Sequence, residues 1–210
     1  MTLDTNLAGV RAATLLEHLR QALTARARQT LEPEGRSRAA VLLLVYPRGR
    51  DYTVVFTKRT SLVESHKGEV CFPGGGFDAG VDASLRHTAL RETAEEIGLT
   101  PDAVEVLGQL DDLQLRSGYH VSPYVATLSA DYVARGTMPA WQPQAAEVAE
   151  ILEVPLGGLV LPDALRSEPR TYADRLIRGS YYLHQDHVIW GATARILHQF
   201  LELVPPSLVM

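Results

Sequence analysis

The sequence predicts an α/β fold, with helices flanking a mixed sheet. Two features carry that expectation: short β-branched runs bounded by turn-forming residues, and segments whose apolar residues recur at helical spacing. No internal repeat or low-complexity tract interrupts the 210 residues. Leu15 to Arg28 reads as an amphipathic helix because Leu15, Leu19 and Leu23 recur at four-residue steps, with Thr14 placed to cap it. A Pro/Gly/Arg-rich link follows at Pro33 to Ser37. Residues 1–36 are therefore expected to be an N-terminal helical extension, 37–204 the main domain and 205–210 a tail. Ala39 to Tyr46 and Tyr52 to Thr57 are strand-like runs divided by Pro47-Arg48-Gly49-Arg50, which predicts a hairpin or neighbouring pair. Cys71 to Gly76 reads as a strand end running into a glycine loop. Asp82 or Ser84 can cap the helix that continues to Ile97, and Gly98 stops it. Val104 to Gly108, Val121 to Leu128 and Ile151 to Pro155 are further strands, Pro123 arguing for an edge or a bulge. Tyr181 to Trp190 is a last strand region, with Trp190 in the core, and Gly191 to Val204 a closing helix.

Composition bounds what such a fold can do. With 46% apolar and 21% charged residues, the chain matches an ordinary soluble domain able to build a core. The single cysteine, Cys71, excludes an intrachain disulfide and a thiol zinc cluster, and no signal-like segment follows Met1, so a cytoplasmic setting is expected. The apolar run Ala39 to Tyr46 is far short of the roughly 20 residues that span a bilayer. A formal charge of -5 argues against non-specific nucleic-acid binding, which depends on clustered Lys and Arg. It leaves open a small anionic substrate held through a local cation or metal.

Arg91-Glu92-Thr93-Ala94-Glu95-Glu96 concentrates acid on one helix. At about 100° per residue, Glu95 falls about 60° to one side of Glu92 and Glu96 about 40° to the other. The three carboxylates share a face, and Ala83, Leu90, Ala94 and Ile97 are expected on the opposite one. Like charges at i,i+4 cost a helix roughly 0.2 to 0.5 kcal/mol, a penalty that a hard divalent cation reverses. A solvated acidic face is the bland alternative, and the glycine loop just before the helix weighs against it.

Phe72-Pro73-Gly74-Gly75-Gly76 followed by Arg91-Glu92-Thr93-Ala94-Glu95-Glu96-Ile97-Gly98-Leu99 resembles the Nudix box, Gly-x5-Glu-x7-Arg-Glu-U-x-Glu-Glu-x-Gly-U with U aliphatic. The C-terminal half departs from it only at Thr93. In the N-terminal half, consensus spacing puts Ala83 where glutamate and Phe77 where glycine belong; an insertion in the loop restores the glycines and leaves Asp82 as the nearest acid. The resemblance implies a Nudix-like α/β/α sandwich, Mg2+ or Mn2+ as cofactor, Glu92 and Glu96 as principal metal ligands and Glu95 as a further ligand or water-activating base. It makes Arg91 structural, and Gly75 and Gly76 part of the substrate loop.

Coenzyme A diphosphatases within that family carry a motif, Leu-Leu-Thr-x-Arg-(Ser/Ala)-x3-Arg-x3-Gly-x3-Phe-Pro-Gly-Gly, to which this chain is similar. Thr57, Arg59, Gly68 and Phe72 to Gly75 match, Thr60 replaces the small residue, and Glu64 replaces the second arginine. Ser122-Pro123-Tyr124, Glu147 to Glu150 with Val154-Pro155-Leu156, and Ile189 to Ala194 also resemble that subfamily. The resemblance implies a split of coenzyme A, or an acyl or dephospho form, into 4'-phosphopantetheine and an adenosine phosphate. Arg59, His66 and Lys67 are then candidates for phosphate contacts, although a strand-end arginine can equally serve a surface ion pair. Glu147 or Glu150 would supply an extra ligand or general base, Glu147 being favoured, against a reading of both as solvent-facing acids. His120 stands in a stretch that could touch substrate, or packs as an ordinary histidine. The expected partner is a small nucleotide diphosphate, with neither nucleic acid nor membrane, and a homodimer stays open as an assembly. Two rivals remain: a Nudix diphosphatase of ADP-ribose, dinucleotides or nucleoside triphosphates, which Glu64 keeps in view, and a non-catalytic nucleotide-binding module. Because glutamate repels phosphate where arginine holds it, Glu64 predicts poor discrimination between coenzyme A and its 3'-dephospho form.

Overall fold

Ala39 to Tyr46 is apolar throughout because both faces of this strand are covered. Leu43 and Val45 enter one hydrophobic cluster, and Leu42, Leu44 and Tyr46 enter the other. The structure is a computed structural model describing residues 3–32, 35–62, 67–136, 138–172 and 175–209. Helix α1 (Leu3–Ala25) leads to strands β1 (Ser37–Arg48), β2 (Asp51–Arg59), β3 (Val70–Cys71) and β4 (Gly74–Gly76), then helix α2 (Leu85–Ile97). Strands β5 (Val104–Gln109), β6 (Leu113–Gln114) and β7 (Tyr119–Leu128) precede helix α3 (Ala130–Ala134), strand β8 (Val148–Pro155) and helix α4 (Leu156–Leu159). The remainder holds β9 (Leu165–Arg166), β10 (Arg170–Tyr172), β11 (Arg175–Ile177), β12 (Tyr181–His184), β13 (His187–Trp190) and helix α5 (Gly191–Leu201).

The main sheet is mixed and eight-stranded, with the path β3-β2-β1-β7-β5 and with β4, β6 and β8 pairing β1, β7 and β2. β1 and β2 form the expected hairpin, Arg48 facing Asp51. β1 and β7 run parallel, and the other pairs are antiparallel. Helix α2 covers one face through Ala89 and Ile97. On the other, Leu15, Leu19 and Leu23 of α1 join Ile196, Leu197 and Phe200 of α5. The result is the expected α/β/α sandwich. The N-terminal helix is built into its core. No described helix is long and apolar enough to cross a membrane.

Local differences have physical causes. Helix α1 starts earlier than the leucine pattern suggests and ends at Ala25. Beyond it Arg26 and Arg28 are drawn to Asp111 and Asp112, and Asp111 and Asp112 accept the N–H groups of Gln29 and Leu31, so those donors are satisfied outside a helix. Pro123 does not mark an edge: its strand lies between β1 and β5. Its carbonyl accepts the Leu110 N–H on the β5 side. The N–H that proline lacks would face that same side, where the chain passes from β5 to β6 and the ladder is already interrupted. In α2 the buried stripe is Thr88, Ala89, Thr93, Glu96 and Ile97; Ala83 lies outside the helix and exposed, and Leu90 and Ala94 are half-buried. Tyr181 to Trp190 is a hairpin, turned at Gln185 with φ 52°.

Candidate active site

Three glycines bring backbone and carboxylates together. β4 lies antiparallel to β1, with Ala40 opposite Gly75. Gly74 has φ +151°, and a Cβ there would stand 2.3 Å from the Ala40 carbonyl oxygen. A Cβ on Gly75 would stand 2.5 Å from the Glu92 carboxyl carbon, so the absent side chain leaves room for that carboxylate; at Gly76 it would meet nothing. The Gly74 N–H donates to Glu96 Oε2 at 3.3 Å.

Helix α2 is fixed at both ends. Ser84, not Asp82, is the N-cap, accepting from the His87 N–H at 3.1 Å, and Gly98 closes the helix with φ 76°. Asp82 has a different role. Its carboxylate is fully buried and takes Arg91 Nε and Nη2 in a fork, both at 2.9 Å, together with the Thr88 hydroxyl and the Asp78 N–H. Arg91 holds that carboxyl well below the usual range, and Asp82 in turn raises Arg91. The same guanidinium reaches Glu92 at 2.8 Å, Glu95 at 2.9 Å and the Gly76 carbonyl at 3.3 Å. Arg91 is thus the structural hub of the acidic helix.

The three glutamates are not equivalent. Glu96 is 2% exposed, with Arg59 Nη1 3.8 Å away. Burial pushes it up to about 7, opposed by the Gly74 N–H and Arg59 and reinforced by the charges of Glu92 and Glu147. Burial also raises Glu92, against the pull of Arg91. Glu95 has a side chain 53% exposed and pairs with Arg91. Glu147 approaches from another part of the chain: the N–H groups of Gln142 and Gln144 donate to the Ile97 and Glu96 carbonyls at 3.0 Å, and the Glu147 carbonyl accepts the Thr60 N–H at 2.9 Å. These bonds dock the loop on the end of α2. Glu150 points elsewhere, 3.5 Å from His187 and 4.0 Å from Lys58.

Glu92, Glu96 and Glu147 offer only carboxylate oxygen, partly desolvated and mutually repelling, a donor chemistry that fits a hard divalent ion. Among the described residues no three His, Cys, Asp or Glu side chains stand close enough together to hold a metal ion as they are placed; Arg91 engages Glu92 and Glu95. Beside the glycine strand lies a cavity of about 400 Å³ lined by Gly74 to Gly76, Arg59, Tyr119 and Trp190. Trp190 is therefore half-buried: it packs against the cluster of Ile177, Tyr181 and Val188 and also forms cavity wall, a role its place between an apolar strand and a helix disguises. Lys67 is exposed and lines no part of this cavity. His66 and Glu64 lie outside the described residues. His120 is buried, its Nε2 3.2 Å from Asp112, among residues that tie β7 to the segment after α1.

Comparison with known proteins bears on this geometry. The NUDIX domain model matches residues 36–176. Over 79% of the chain, the sequence is 39% identical to an uncharacterized Nudix hydrolase, NudL, of Photorhabdus laumondii, with 84% of that protein covered. It is 31% identical to Nudix hydrolase 3 of Caenorhabditis elegans, over 84% of this chain and 77% of the relative. A Nudix hydrolase structure from M. smegmatis shares the fold with a TM-score of 0.52 at 19% identity, covering 81% of this chain and 88% of that one. With the glycine strand, the Arg91 hub and the acidic helix in place, the chain belongs to the Nudix hydrolase family.

Proposed function

We propose that this hydrolase cleaves a diphosphate linkage in a nucleotide derivative with Mg2+ or Mn2+ bound at the acidic helix, and that its substrate is coenzyme A or an acyl form of it. The observation that carries the reading is the convergence of buried Glu96, half-buried Glu92 and the Glu147 loop beside a cavity floored by Gly74 to Gly76. Nudix hydrolases generally use divalent metals such as Mg2+. The coenzyme A assignment draws its support from the sequence pattern around Arg59 and Phe72 to Gly75.

In this reading Glu92 and Glu96 hold the metal. When bound, it neutralises diphosphate oxygens and lowers the pKa of a water. Glu147 takes the proton of the attacking water as general base, because its charge acts on both Glu92 and Glu96, whereas Glu95 is turned toward Arg91 and solvent. Arg59 lines the cavity and already faces Glu96, where it can hold a phosphate oxygen next to the metal ligands. Glycines 75 and 76 let the diphosphate approach the backbone without a side chain between.

A panel of coenzyme A, ADP-ribose, dinucleotides and nucleoside triphosphates, assayed with Mg2+ or Mn2+ and with excess chelator, tests the reading. The expected result is metal-dependent release of 4'-phosphopantetheine and 3',5'-ADP. Preferential turnover of ADP-ribose or a dinucleotide would overturn the coenzyme A assignment, and full activity in chelator the metal.

A further inference from the structure

A second hollow of about 590 Å³ adjoins the cavity beside the glycine strand. Arg116 enters it from the turn before β7, Arg178 from the segment after β11 and Arg195 from the exposed side of α5, with Leu165, Leu176 and Trp190 supplying apolar wall. Trp190 and Gly191 line both hollows, and Leu115 and Ser117, which flank Arg116, line the one beside the glycine strand. The two spaces therefore meet around the corner between β13 and α5.

The charge of this second hollow is out of keeping with the rest of the molecule. The chain is acidic, and several arginines outside this hollow face carboxylates: Arg20 with Glu105, Arg26 with Asp111, Arg28 with Asp112, Arg91 with Asp82. Among the described residues no Asp or Glu lines the second hollow. The side chains of Arg116, Arg178 and Arg195 make no ion pair or hydrogen bond with any described residue. Converging cations without counter-ions repel one another, and a guanidinium fork matches the oxygens of a phosphate monoester. Apolar walls suit an organic body carrying that phosphate better than a free ion.

We propose that this hollow binds a second phosphate, carried by the substrate apart from the diphosphate that is cut, so that the enzyme selects a phosphorylated nucleotide derivative. The inference rests on the proposed diphosphatase reading of the neighbouring cleft. For coenzyme A the group is the 3'-phosphate. It reverses the expectation drawn from Glu64: discrimination against the 3'-dephospho form should be strong, and Arg116, Arg178 and Arg195 should create it.

The test measures kcat/KM for coenzyme A and 3'-dephospho-coenzyme A in wild type and in the double variant Arg178→Gln/Arg195→Gln. Calorimetric titration of 3',5'-ADP, 5'-AMP and inorganic phosphate into the metal-free proteins accompanies it. All three arginines are on the surface, and equal melting temperatures verify that the variant folds. The wild type is expected to favour coenzyme A by about tenfold or more, and the ratio of the two kcat/KM values to fall toward one in the variant. The wild type is also expected to bind 3',5'-ADP more tightly than 5'-AMP, a difference the variant loses. Equal kcat/KM values in the wild type, or selectivity that survives the double substitution, would overturn the proposal. Inorganic phosphate binding as tightly as 3',5'-ADP would reduce the hollow to an unspecific anion site and overturn it too. If neither coenzyme A form is hydrolysed, the coenzyme A assignment fails by itself and calorimetry decides: a 3',5'-ADP preference lost in the variant sustains the subsite, and equal binding of 3',5'-ADP and 5'-AMP sinks it.

Discussion

The burial that lifts Glu96 to about 7 couples its charge to folding. The unfolded chain releases this proton near 4.5 and the folded chain only near 7, so between those values the folded state binds more protons. Metal-free protein should therefore lose stability as pH rises from about 4.5 toward about 7, by on the order of 3 kcal/mol from this group. Glu96→Gln should flatten that part of the profile, as melting in chelator at pH 5 and 7.5 would show, and should lower turnover by orders of magnitude while the fold persists. An unchanged slope would mean that another group carries it. Gly75 makes a sharper spatial prediction. Gly75→Ala drives a methyl into the Glu92 carboxylate and should abolish most activity, whereas Gly76→Ala meets open space and should act mildly. Equal kcat in the two variants would remove Glu92 from the chemistry.

Helix α2 shows what a sequence can disclose about an element and what it cannot. Its span and its Gly98 stop are local chemistry and legible, and Ser84 is one of the two caps, with Asp82, that the sequence offers. Which side it buries is not local chemistry: Glu96 is buried along with Thr93 and accepts the Gly74 N–H, a contact that follows from the pairing of β4 with β1. Asp82 illustrates the same limit: spacing offered it as an imperfect substitute for glutamate, while its fork with Arg91 depends on a turn in which Asp82 accepts the Asp78 N–H. The Glu147 to Glu150 segment was legible as acid before a strand. The register of β8 against β2, with Glu150 opposite Lys58, separates the two residues. Glu147→Ala should lower kcat and alter the pH-rate profile, and Glu150→Ala should leave both near wild type. The reverse order of effects would move the proton-accepting role away from the α2 cleft.

At the scale of the whole molecule, one core joins segments from both ends of the chain. The four-residue leucine spacing announced an amphipathic helix at the N-terminus but not its destination among α5 residues, a contact between segments some 180 positions apart. Leu19 is completely buried, so Leu19→Ala should cost about 3 kcal/mol in urea unfolding; a loss below about 1 kcal/mol would mean that α1 contributes little to the fold. The three arginines of the second hollow escaped the sequence for a related reason: they lie far apart in the chain, and no periodicity relates them. The docking of the Glu147 loop on α2 bears on how freely this family member can drift. The ties at Gln142 and Gln144 are made by main-chain N–H groups, which every amino acid except proline supplies. Side chains there are free to change while the acid downstream keeps its place, so Gln144→Ala should be silent. Gln144→Pro should cut turnover without touching any carboxylate; unaltered kcat in that variant would show that Glu147 is held by something else. The cleft is thereby insulated from mutation in the very loop that completes it.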